Sequence, residues 1–236
     1  MRKVLRFWNK LRKVKQKQYI GTSTIAHVRK NTYISKEEYR ELTTYANEKN
    51  VRIARFKKYT GDITVIKEVI DDIVIVAKDF PDILQGRRRI ELNLDYYCDE
   101  DVFATTEKHL VYLNANLFSD VEYLKTEYQL SMSQGKFVKD TDYHSIIRHE
   151  LGHVVANIYG FDSLSITKNI LKTESNVEVI RHVKENLSLY SAEYEDGREI
   201  ISECFSGYYS RVNNSFANAF VKRCIELTGG NRSETK

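Results

Sequence analysis

The segment His149-Glu150-Leu151-Gly152-His153 constrains this chain more than any other feature of its sequence. It lies within a stripe of Ile146, Ile147, Leu151, Val154, Val155 and Ile158 at helical spacing, and Gly160 stands where helices commonly end. The spacing predicts a helix over residues 141–159. On a helix, positions i and i+4 share one face a turn apart, so both imidazoles project the same way. Two imidazoles so placed can meet one tetrahedral Zn²⁺ at about 2.0–2.1 Å. Glu150 projects roughly a quarter turn around, near such an ion without binding it, which is the place of a general base. Gly152 costs its helix about 1 kcal/mol relative to alanine, so another backbone or the site itself is expected close by.

A catalytic zinc takes a third protein ligand and leaves its fourth position to water. The candidates lie 46 residues after His153, in Arg198-Glu199-Ile200-Ile201-Ser202-Glu203. Glu199 and Glu203 are again i and i+4. One carboxylate can bind the metal while the other accepts the N–H of a ligating histidine and fixes its tautomer. The plainer reading is two acidic groups on a solvated helix face and two histidines serving the core or the surface. A closed structural zinc site would need a fourth protein ligand, for which His144 and Cys204 are the conceivable candidates. His109 and His144 otherwise read as polar surface residues, and Cys204 as core.

Elsewhere, Ser35-x-x-Glu38 reads as a capping box opening a short helix to about residue 47. Ile63, Ile66, Val69, Ile70, Ile73, Val76 and Ala77 recur at helical spacing up to the only proline, Pro81. Residues 89–95 alternate and read as a strand, as do 109–113. Ser119-Asp120-Val121-Glu122 reads as a second capping box for a helix to about 129, and Gly135 as a turn. Helices follow near 176–188, 198–212 and 214–227. Strands early and helices late predict an α+β fold with a small mixed sheet. The expected division is a basic N-terminal extension with a short helix over 1–60, one domain over 61–229, and a polar tail over 230–236.

Charge narrows the function classes. Of the 37 Lys and Arg residues, Arg2, Lys3, Arg6, Lys10, Arg12, Lys13, Lys15 and Lys17 lie in the first twenty positions, and the remainder is slightly acidic. No nucleic-acid footprint is therefore expected in the body. The arm is either a solvated connection or a segment that contacts a partner or a membrane surface. Its apolar residues are broken by charges, so it is not expected to be a signal peptide, and no stretch is apolar enough to form a transmembrane segment. Cys98, Cys204 and Cys224 form no CxxC pair and are expected to be reduced thiols.

His149-Glu150-x-x-His153 followed by Glu199-x-x-x-Glu203 resembles the gluzincins. The long gap between the motifs is most similar to the anthrax lethal factor-type peptidase domains. The resemblance implies one Zn²⁺, with Glu199 as its third ligand and Glu203 supporting a histidine. It also implies a tyrosine that stabilises the oxyanion, carried by a Ser-x-Tyr-small segment such as Ser188-Leu189-Tyr190-Ser191. Tyr190 precedes Glu199 by nine residues, where the family more often has seven. Either two residues are inserted or Tyr194 takes the role.

From Asp62 to Phe220, roughly two-thirds of the chain, the layout is similar to the zincin-like domains of phage minor head (head morphogenesis) proteins. That resemblance implies a zincin-like metallopeptidase fold acting on a peptide or protein substrate, cytoplasmic in a bacterial host or phage-associated. It also makes 109–113 the edge strand of the sheet, to which a peptide can add. The alternative it carries is a non-catalytic, zinc-stabilised assembly module of a phage head.

Overall fold

A computed structural model describes residues 33–95, 102–194 and 196–231. The basic arm and Cys98 lie outside the described residues. The architecture is α+β, with a small mixed sheet and a helical C-terminal part, as expected. Among the described residues no helix is long and apolar enough to cross a membrane.

Helix α1 (Lys36–Glu48) opens on the expected capping box: Glu38 N donates to Ser35 Oγ at 3.1 Å, and Ser35 N to the Glu38 carboxylate at 2.7 Å. Strand β1 (Arg52–Ala54) follows, then α2 (Ile63–Ala77), capped by Asp62, whose carboxylate accepts from Thr64 N at 2.8 Å. Strands β2 (Glu91–Asp95), β3 (Ala104–Glu107) and β4 (Leu110–Asn114) complete the sheet. Its order is β1-β2-β4-β3, with β3 antiparallel to β4 and the other pairs parallel.

Three expectations are corrected here. The edge strand is β3, and the 109–113 segment, seen as β4, is internal. Leu113 pairs with Leu94 on one side and Ala104 on the other, which a single sequence cannot show. Position 60 is no boundary either. β1 pairs in register with β2, Leu42 and Ala46 are buried, and Phe56 and Tyr59 are fully buried, so residues 34–59 share the core of the rest. The helix after β4 is capped by Asp120, not by a Ser119 box. Asp120 Oδ1 accepts from Tyr123 N at 3.0 Å, while the Ser119 hydroxyl donates to Ala115 O, closing the short helix α3 (Ala115–Phe118).

Helix α4 (Val121–Ser133) runs a turn beyond the expected end and precedes the Gly135 turn. Helix α5 (Ser145–Tyr159) begins one turn later than expected, because Asp142 folds 142–144 into a turn. It stops at Gly160, φ 72°, a left-handed conformation that suits glycine. Helix α6 (Ser163–Leu171), which the sequence reading left out, is capped by Asp162. Helices α7 (Asn176–Asn186), α8 (Arg198–Tyr209) and α9 (Ser215–Asn231) follow. Of all helix pairs, α5 and α8 pack most extensively, and the candidate site lies in that seam.

Candidate metal centre

The seam is tight because of Gly152. A Cβ there would stand 2.6 Å from Ser202 Cα and 3.1 Å from Ile201 O, so only glycine lets the two backbones approach this closely. Ser202 lies between Glu199 and Glu203 on α8. Bringing its backbone against Gly152 therefore sets one carboxylate on each side of the histidine face of α5.

His149, His153 and Glu199 form the one group of three or more potential metal donors among the described residues, their ligand atoms all within 4.8 Å of one another. Glu199 Oε2 is 3.2 Å from His149 Nε2 and 3.2 Å from His153 Nε2. It is nevertheless a buried oxygen with no hydrogen bond of proper geometry. Ligands at about 2.0–2.1 Å from a tetrahedral ion lie about 3.3 Å apart, so these donors fit a metal better than they fit one another. Two neutral imidazoles and a carboxylate suit Zn²⁺ chemically.

Glu203 is fully buried and accepts from His149 Nδ1 at 2.8 Å. That bond places the ring proton on Nδ1 and leaves Nε2 to face Glu199 and His153. Burial opposes charge on His149, but the Glu199 and Glu203 carboxylates outweigh it and hold the imidazole well above its usual range. Burial likewise raises Glu199, and the two imidazoles more than reverse this, holding it well below the usual carboxylate range. Each group thus favours the charge complementary to its partners, as a preformed cation site does when its protons are displaced.

Glu150 is buried beside the group without joining it. Its Oε2 accepts from the Thr106 hydroxyl at 2.6 Å, a contact across 44 residues that ties α5 to the edge strand β3. Sequence reasoning missed Thr106, since nothing about an isolated threonine in a polar tetrapeptide marks it. Tyr190 stands with its ring 5.8 Å from that of His149 and shares a cavity with His149 and Glu150. Burial, then the charge of Glu199, pushes its phenol upward, so it remains a proton donor at neutral pH. Tyr194 lies beyond it, its ring 6.2 Å from Tyr190 and covered by the Arg198 guanidinium at 4.9 Å, and it does not line that cavity.

The remaining candidates sit elsewhere. His144 is not a free surface group: its Nδ1 is 2.7 Å from Asp72 Oδ2, and Arg148 donates to Asp72 Oδ1 through Nε and Nη2. Cys204 is fully buried, and burial pushes its thiol well up, away from the thiolate a metal needs. His109 contributes its backbone carbonyl to Glu91 N at the start of the sheet. Compared with family models, characterised proteins and solved structures, the chain matches none of them.

Proposed function

We propose that the protein is a zincin-like, zinc-dependent endopeptidase. The observation that carries this reading is the buried, unpartnered Glu199 Oε2 facing two imidazole Nε2 atoms at 3.2 Å, with Glu150 alongside. His149, His153 and Glu199 would hold Zn²⁺, which supplies Lewis acidity toward a water and a substrate carbonyl. Glu150 takes the proton from that water as it attacks the carbonyl and hands it to the leaving amine. Thr106 holds one oxygen of Glu150 and so orients the other. Tyr190, kept protonated, donates to the oxyanion that develops as the water adds. The open edge of β3 offers main-chain groups on which an extended peptide can be laid.

The donor set also argues against a closed structural zinc. Neither conceivable fourth ligand joins the group: His144 is engaged by Asp72, and Cys204 is sealed in the core. A phage or prophage origin rests on the sequence resemblance alone.

The test is to purify the protein without chelator, measure bound metal, and expose wild type and Glu150→Gln to an unbiased peptide library. One equivalent of zinc in both is expected, with cleavage lowered about 10²–10⁴-fold in the variant. Folded protein that binds no zinc would overturn the reading. Zinc without cleavage in either protein would favour the assembly module.

A further inference from the structure

The cavity beside Glu150 has a chemistry of its own. It encloses about 220 Å³, with His149, Glu150 and Tyr190 at one end and side walls of Val102, Phe103, Phe137 and Ile146. Those walls are apolar and braced. Phe137 lies tilted over Tyr128 at 4.6 Å, and Phe103 meets both rings edge-on at 5.7 and 6.3 Å. Tyr128 is in turn hydrogen-bonded to Thr141 at 2.6 Å. The loop carrying Phe137 is tied to the segment carrying Tyr190, because Leu189 N donates to Gly135 O at 2.9 Å. An engineered protein cavity of about 150 Å³ already accepts a benzene ring, so this space suits an aromatic or long aliphatic side chain. A small side chain would leave the walls without partners.

The cavity is placed to receive such a side chain from an extended peptide. Ala104 and Thr105 of the edge strand form part of its lining, so a peptide paired along β3 passes its mouth. Lys136 also lines it, and a cationic side chain would meet that charge while losing its water. Resting on the reading of the site as a peptidase, we propose that its substrate class is peptides carrying a bulky apolar side chain next to the bond cut. Val102, Phe103, Phe137 and Ile146 hold that side chain.

Blocked hexapeptides with a single Phe, Leu, Ala or Lys in an otherwise Ala–Gly frame test this twice. One arm is cleavage by wild type and the other is binding to the zinc-loaded Glu150→Gln protein. Phe and Leu should exceed Ala by on the order of 10–100-fold in both arms, with Lys lowest. Ala104→Leu, on a half-exposed strand position, should bring Phe down toward Ala, and Phe137→Ala should shift the preference toward Trp. Zinc content and melting temperature confirm that each variant is folded, and Ala104→Leu decides alone if Phe137→Ala is not. Cleavage or binding without apolar preference overturns the cavity's role and leaves the peptidase reading intact. So does a preference unmoved by either variant. Apolar-selective binding without cleavage by wild type supports the cavity and sinks the peptidase.

Discussion

Helix α5 carries two histidine–carboxylate clusters five residues apart, and they are built in opposite ways. At His144, Asp72 uses one oxygen for the imidazole and the other for Arg148, while Arg148 also donates to Ser210 Oγ at 3.0 Å. Every strong partner there is supplied by the protein. At His149 and His153, the Glu199 oxygen facing both rings has no hydrogen bond at all. A buried polar group left unmatched is costly, so it persists where something other than the fold requires it. The first cluster ties α2, α5 and α8 together; the second is arranged for a cation.

The largest effect that would break this contrast comes from removing the carboxylate of each cluster. Asp72→Ala leaves Arg148 buried without its counter-ion and should cost about 3–5 kcal/mol of stability, read by urea unfolding, while folded protein still binds one zinc. Glu199→Ala should do the reverse, abolishing zinc binding while apo stability changes far less. If Asp72→Ala lost zinc while remaining folded, or if Glu199→Ala kept it, the two clusters would not be separable in this way.

A change at the helix crossing should strike both properties. In Gly152→Ala the added methyl meets backbone, which cannot swing aside as a side chain can. A cost of about 1–3 kcal/mol is expected, together with weaker zinc binding because Glu199 and Glu203 move with Ser202. Zinc affinity unchanged in that variant would mean the seam has more slack than its contacts indicate. Glu203→Gln sharpens the metal side alone. With His149 Nδ1 no longer facing a carboxylate, zinc affinity should fall about 10–100-fold in competition with a chelator, with little change in melting temperature of the loaded protein.

How much of this could be read beforehand follows from the range of each interaction. The facing of His149 and His153, the stop at Gly160 and the pairing of Glu199 with Glu203 are properties of single helices, so spacing alone exposes them. The tight approach at Gly152 was legible as a helix glycine needing a reason, though not as contact with Ser202. Strand β3 was not legible: Ala104-Thr105-Thr106-Glu107 lacks apolar alternation, and its turn at Lys108 and His109 lacks the glycine or asparagine that flags a hairpin. Thr106 on Glu150 and Asp72 on Arg148 join positions 44 and 76 residues apart, and only the fold brings them together. Strand β1, three residues long, owes its existence to β2.

The smallest expected effect concerns the pH response of the satisfied cluster. The hydrogen bond from Asp72 raises the His144 pKa above its ordinary 6.5, against an opposing contribution from burial. A folded-state value above the unfolded one means stabilisation that is complete below about pH 6.5 and is lost as pH rises through the folded value. Wild type should therefore lose stability relative to His144→Gln as pH climbs from 6 toward 9, by no more than about 1.4 kcal/mol per pH unit at the steepest point. Measuring the difference between the two proteins, both zinc-saturated, cancels the titration of His149 and His153. A flat difference would mean that Asp72 holds His144 no better when it is charged. The cluster would then stand on the Arg148 pair alone, leaving His144 a spectator beside it.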